Sequence, residues 1–281
     1  SVVTPSVKAS IKSIINNKPI LLMTLSQILG SFAVGGSKQD YYIDVLNFAS
    51  LGLITGIPGA IINPFSYMAV PWFRRHFSSR FLYIIGNKID GILLVPVFLV
   101  GCIGGKKHGL YKNIWVMGIA MMLWETIFMI FYGVRRIIPT EMYNEAMDYC
   151  EWKNGYRTEG MTSVAQGLAS KLANIFSRYI SNYIKQLIGY DLTRYVRGTA
   201  QTDETKFGLF AMFTIVPFLT GMVSIIPMLF YDLSGKKKEK MYEELLERRA
   251  AMSKEATSGD LEALERLAKA QMEIGNMKQE L

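Results

Sequence analysis

The chain has 281 residues, half of them hydrophobic and 19% charged, with mean hydropathy +0.20 and formal net charge +8. Two cysteines, Cys102 and Cys150, and two well-separated histidines, His76 and His108, carry no metal-type or disulfide-framework spacing, so metal chemistry has almost no material. No basic module with stacking aromatics is present, and lysines and arginines flanking apolar runs explain the charge more simply than nucleic acid does.

The chain opens at Ser1 without a signal-peptide pattern, a start expected of a fragment. Residues 1–18 read as a polar lead-in, and residues 19–37 form an uncharged run that would extend toward Tyr42. Residues 45–73 hold no charge over 29 positions, and about 20 apolar residues suffice to cross a bilayer. Residues 81–105 are apolar apart from Lys88 and Asp90, and 113–134 apart from Glu125. A more amphipathic stretch, roughly 158–188, carries Lys171, Arg178 and Lys185, and 207–231 holds no charge over 25 positions. Two uncharged runs of this length leave a soluble fold of this size too little polar surface. The expected fold class is therefore all-α: an integral membrane bundle of six transmembrane helices over 19–233, embedded in the lipid bilayer.

Glycine and proline inside the runs (Gly52, Gly56, Pro58, Gly59, Pro64; Pro217, Gly221, Pro227) suit close helix contact in lipid. After Ser234 the composition turns to Lys, Glu, Arg, Leu and Ala, with a break at 257–260 where Ser258 or Asp260 would cap a second helix. Residues 234–281 thus read as a charged tail, helical or partly disordered. Basic residues near the span ends favour an inside N-terminus by a modest margin, which places both ends and a 144–161 loop in the cytoplasm and the bundle in the cytoplasmic membrane.

Charges within the spans are the most informative residues. Lys88, Asp90, Glu125, Lys171 and Arg178 facing lipid would together cost on the order of 12–17 kcal/mol, so they pair or face a wet cavity. Lys171, Asn174 and Arg178 share one helix face, with Gly167 a turn earlier, and that face implies a polar cavity between helices. Gln166 lies near it at another angle. Lys88 with Asp90 reads as a structural ion pair, although residues two apart on a helix diverge. Glu125 fits a packing partner and a cavity residue equally, and Arg135 and Arg136 read as snorkelling from a helix end.

The stretch from Glu145 through Asp148, Tyr149, Glu151, Lys153, Gly155, Arg157 and Glu159 to Gly160 resembles the signature D-x-x-D-Y-G-E-x-K-x-G-x-R-x-E-G of the glycoside–pentoside–hexuronide:cation symporters, the melibiose-carrier branch of the major facilitator superfamily. Gly189-Tyr190, a last span with two prolines and the basic exit after Tyr231 extend the likeness over most of 10–250. Glu145 stands where the family often has Asp, and Cys150 replaces a Gly. The resemblance implies the C-terminal six-helix half of a twelve-helix carrier, whose partner would be the N-terminal half. It implies cation-coupled symport, with Na+ or H+, of a glycoside or oligosaccharide by alternating access. It further implies that Lys171 lines the sugar and cation cavity with Gln166 beside it, and that Asp148, Glu151 and Arg157, with Glu145, form a cytoplasmic charge network joining the halves. Lys153 and Glu159 fit that network or a solvated loop. Asn174, Glu125 and Trp124 would complete the sugar site, Trp124 as an apolar face for a pyranose ring or as plain packing. No cofactor is expected, and the co-transported cation would be held mainly by the other half. A membrane sugar sensor or binding scaffold derived from a carrier is the alternative. An intramembrane enzyme finds no HExxH, GxSxG or paired-aspartate motif.

Overall fold

The computed structural model describes residues 15–155, 157, 159–196, 199–258 and 266. Lys8, Lys12, Thr158, Arg197, the side chain of Glu159 and the second tail helix expected from Leu261 lie outside the described residues. All regular structure among the described residues is helical. Among them nine helices of seven or more residues follow one another: α1 (Lys18–Ser31), α2 (Lys38–Asp44), α3 (Leu51–His76), α4 (Ser79–Gly101), α5 (Ile114–Ile130), α6 (Tyr132–Asn154), α7 (Glu159–Leu187), α8 (Asp203–Gly221) and α9 (Gly235–Ser258). They belong to two compact units. An apolar unit is formed by Ser26–Pro139 and Ser170–Ile226, and a charged unit by the described parts of Ser1–Leu25, Thr140–Ala169 and Pro227–Leu281.

Among the described residues, four stretches are long and apolar enough to cross a membrane: Leu51–His76, Ser79–Gly101, Ile114–Asn154 and Asp203–Leu229. At most 39% of any of their apolar windows is buried within the protein, so most of that surface requires a lipid environment. The chain is a multi-pass membrane protein. The two other expected spans differ from expectation. The α7 helix has the length, at 29 residues, but its polar stripe leaves it short of the apolar content of the other four. The run at 19–37 does not form one helix, since α1 stops after 14 residues, about 21 Å.

The sequence Ala33-Val34-Gly35-Gly36-Ser37 explains that stop. Glycine disfavours helix, by about 1 kcal/mol each against alanine, and Ser37 caps the start of α2 by accepting the Gln39 amide at 3.1 Å. Five of the freed backbone groups find partners. The amides of Val34, Gly35 and Gly36 donate to Thr220 Oγ1 (3.0 Å), Ser181 Oγ (3.2 Å) and the Met212 carbonyl (2.7 Å). Ser177 donates to the Ala33 carbonyl at 2.6 Å and Thr220 to that of Val34 at 3.1 Å. Hydroxyls of α7 and α8 thus replace the missing helical bonds. The close approach needs Gly35, where a Cβ would fall 2.6 Å from Pro217 Cγ.

A second correction concerns 144–161, expected as a loop. Residues 144–154 instead complete α6, for NEAMDYCEWKN contains neither glycine nor proline. The helix ends at Gly155, whose φ of +79° supplies the left-handed terminus. Arg135 and Arg136 lie in the first two turns of α6. Arg136 pairs with the Tyr132 hydroxyl at 3.1 Å.

Within the apolar unit, an aromatic and methionine core joins Tyr41, Tyr42, Tyr111, Met117, Met121, Phe210 and Phe213. Tyr41 donates to the Tyr111 carbonyl at 2.6 Å. The α3 helix runs along α5 and the start of α6 through a seam of small residues. A Cβ on Gly59 would sit 2.9 Å from Met129 Cγ, and one on Gly133 2.6 Å from the Ser66 carbonyl oxygen. Gly133→Ala therefore drives a methyl group into backbone, and roughly 1–3 kcal/mol of stability should be lost. In a thermal-melt assay of detergent-solubilised protein, Gly133→Ala melts lower than wild type. Gly167→Ala, with nothing within 4 Å of its Cβ, melts no lower.

Candidate functional site

In the apolar unit, the charges expected to be costly in lipid are mostly compensated. Lys38, the first residue of α2, donates to Glu125 Oε1 on α5. Thr55 of α3 donates to the same oxygen at 3.3 Å. Lys185 pairs with Asp40, and the Tyr190 hydroxyl donates to Asp44 at 2.9 Å. Lys88 and Asp90 do not pair with each other. Two residues apart on α4, they diverge: Lys88 donates to the Gly221 carbonyl at 2.7 Å, and Asp90 lies 3.9 Å from Arg135. Trp124 is held in place by its indole, which donates to the Asp90 carbonyl at 3.0 Å, and its ring packs edge-on against Phe213.

The α7 helix presents two different faces. Ala173, Ser177 and Ser181 are buried, and the two serines serve the interruption between α1 and α2. Lys171, Asn174 and Arg178 are exposed, and none of the three bonds to another side chain among the described residues. Two uncompensated cations within the apolar unit would cost about 5–7 kcal/mol against lipid. That face therefore requires water, a solute or a carboxylate from outside the described residues. Trp124 and Glu125 share neither hydrogen bond nor ion pair with Lys171 or Asn174 among the described residues.

The charged unit gathers the remaining residues singled out from sequence. Gln166 Nε2 donates to Thr24 Oγ1 at 2.5 Å. Glu145 is buried and accepts from Lys238 of α9. Asp148 receives Arg157 and Arg249, each at 2.9 Å, and the Tyr242 hydroxyl at 3.4 Å. Arg249 also grips Glu151 with both Nη2 (2.6 Å) and Nε (3.1 Å), while Arg157 stands 3.8 Å from Glu151. Trp152 donates to Glu244 at 2.6 Å, and Arg248 donates to the Trp152 carbonyl at 2.9 Å. Nearby, Asp232 takes both Lys18 (3.1 Å) and Lys237 (3.0 Å). Burial pushes its carboxyl up, but the bonds to Lys237 and Lys18 outweigh it and hold the group below its ordinary range.

The α9 partners Lys238, Tyr242 and Arg249 were not picked out from sequence. Their spacing of four and seven places them on one helix face, and that stripe of basic and phenolic groups was the available signal. The Glu151 and Asp148 carboxylates raise the Arg249 guanidinium above its ordinary value. Burial, and then the Asp148 charge, push the Tyr242 phenol up to about 12.

Arg249→Ala should loosen α9. With Arg249 partly exposed, solvent screening limits the loss to about 1 kcal/mol, or about fivefold faster amide hydrogen exchange over 235–258, more at low salt. The phenol holds its proton to about 12 against an ordinary 10.0, so its contribution is complete below about pH 10 and is lost as pH rises toward 12. Exchange of the same segment in Tyr242→Phe lacks that part of the alkaline loss.

The sequence profile of the family described as MFS/sugar transport protein matches residues 4–235. Curated relatives include a glucuronide carrier protein homolog of Escherichia coli K12, 23% identical over 251 residues, covering 87% of this chain and 50% of that protein. A putative sulfoquinovose importer of the same organism is 25% identical over 260 residues, covering 87% and 49%. An uncharacterized symporter of Bacillus subtilis 168 is 24% identical over 240 residues, covering 84% and 48%. The chain thus spans about half the length of the curated relatives it matches. With four membrane-length apolar helices, two cations left open on α7 and a family match over residues 4–235, the chain belongs to the MFS/sugar transport protein family, a family of transporters and not of enzymes.

Proposed function

We propose that this chain is the C-terminal, six-helix half of a cation-coupled sugar symporter working by alternating access in the cytoplasmic membrane, with its C-terminus in the cytoplasm. In this reading α1 with α2 forms one interrupted span, α7 another, and the N-terminal half of the same carrier covers the open face of α7. The observation that carries the proposal is the pair of uncompensated cations, Lys171 and Arg178, on that face beside Asn174. Hydroxyl-rich solutes need donors at such a site, and Lys171 and Asn174 supply them without any covalent step. Two of the relatives are named for glucuronide and sulfoquinovose. Both sugars bear an acidic group, and an excess of cations favours a solute of that kind here.

The charge network around Asp148, Glu151 and Arg157 would act as the cytoplasmic lock, its acids exchanging partners between states. Coupling to Na+ or H+ follows if the bound cation changes solute affinity, and linkage makes that effect reciprocal. The test is uptake of radiolabelled neutral and acidic glycosides into energised vesicles by the full-length carrier, with and without a Na+ or proton gradient. Gradient-stimulated uptake of an acidic sugar is expected, with loss of at least tenfold in Lys171→Ala. Absence of gradient-dependent uptake for every sugar would sink the symporter and favour a sugar sensor. Full uptake in Lys171→Ala would remove Lys171 from the site.

A further inference from the structure

We infer that the groove between the first turns of α3 and α5 is a binding site for one acyl chain of a membrane phospholipid, held in the leaflet where both helices begin. The inference goes beyond the carrier reading and takes from it only that this leaflet is the outer one.

The groove has a volume of about 510 Å³. Leu51 and Ile54 line it from α3, and Trp115, Gly118, Ile119 and Met122 line it from α5. None of its lining residues is charged. Thr55 also borders it, but the hydroxyl there donates to Glu125 Oε1 at 3.3 Å. The space exists because a glycine stands where packing does not require one. A Cβ on Gly118 would meet Leu51 Cδ1 at an ordinary 3.7 Å, whereas in the same seam one on Gly59 would press to 2.9 Å from Met129 Cγ. Gly118 thus leaves room instead of drawing the helices together.

The occupant follows from the surface that the groove interrupts. Its walls are open, with Trp115 81% exposed, Ile119 62% and Ile54 44%. They continue into exposed Ile57 and Ile61 on α3 and exposed Leu123 and Ile127 on α5, part of the apolar surface that requires lipid. Water finds few partners in such a groove, and an empty one forfeits dispersion contacts along its lining. From Ile114 to Met122 the helix rises about 12 Å, within the half of a ~30 Å hydrocarbon core that one leaflet supplies. That length fits a chain from one leaflet rather than a spanning helix. Asn47 and Phe48 stand at the groove's polar end. Asn47, at φ +53°, turns the backbone between α2 and α3, and its exposed side-chain amide makes no hydrogen bond among the described residues. That amide can donate to an ester or phosphate oxygen of the lipid. Trp115 is the second residue of α5, its amide donating to Asn113 Oδ1 at 3.0 Å, and holds the interfacial position that tryptophan favours. Lipid tails are as apolar as the groove, so preference over surrounding lipid comes from close packing and this polar end, not from leaving water.

The test uses the purified full-length carrier in detergent, titrated with phosphatidylcholine whose acyl chains are brominated and quench tryptophan on contact. The Trp115 signal is the difference between wild type and Trp115→Phe. Its quenching should saturate with a single lipid per carrier. Gly118→Leu fills the groove and should abolish the saturable part, while Gly118→Ala adds only the tolerated methyl group and should keep it. If Gly118→Leu fails to fold, Ile54→Phe, at an exposed position, narrows the groove from α3 and should weaken the saturable part in its place. Quenching that follows the brominated fraction without saturating marks ordinary surrounding lipid and overturns the inference. So does saturable quenching that survives the filling variant, quenching absent because another part of the carrier covers the groove, or displacement of the lipid by phenyl glucuronide. The readout needs no solute. A carrier that moves no sugar but keeps the saturable lipid therefore refutes the symporter and not the lipid site.

Discussion

Hydrocarbon offers no partner to a polar group, so each backbone amide and each charge placed in the apolar unit must find one inside the protein or face a cavity. The break between α1 and α2 obeys this rule most visibly. Three amides and two carbonyls released from helical bonding at 33–36 are taken up by Thr220, Ser181, Ser177 and the Met212 carbonyl. The interruption is thereby a junction of three helices: a non-helical segment can persist only because α7 and α8 bring hydroxyls to it. Losing the serines would leave backbone groups open at about 1–3 kcal/mol each.

The same rule sorts the charges. Lys38, Lys185, Lys88 and Arg135 each have a carboxylate or carbonyl within reach. Lys171 and Arg178 have none among the described residues, and they lie on the helix whose other face secures the break. One helix therefore connects an open, cationic face to a segment whose backbone relies on side chains. In the charged unit the balance differs, because Asp148 and Glu151 already share Arg157 and Arg249. Any further basic group would have to compete with α9 for these acids.

Periodicity and charge were enough to expose the membrane class, four of the spans and the polar face of α7, since these depend on residue type alone. The break in the first span was harder to see. Gly35-Gly36-Ser37 is visible in the sequence, but glycine is tolerated within membrane helices, and only Ser177, Ser181 and Thr220 decide that the helix opens there. The loop assigned to 144–161 failed for the opposite reason. Its density of charge suggested solvent, whereas the absence of glycine and proline before Gly155 keeps α6 helical, with α9 covering its acids. Lys38 was counted only as a flanking cation, because pairing across 87 positions has no local signature.

The seam of small residues between α3 and α5 links packing to chemistry. Gly56 and Gly59 let the helices approach until Met129 and the Glu125 backbone lie in van der Waals contact with α3. At that separation a glutamate on α5 cannot avoid α3, and its carboxyl must be accommodated by Thr55 and by the space at Gly56. A valine or leucine at either glycine would push the helices apart and detach Thr55 from Oε1. The close contact that stabilises the unit and the hydroxyl that supports the Glu125 carboxylate thus have one cause. Tight packing there keeps one carboxylate oxygen bonded and leaves space at the other.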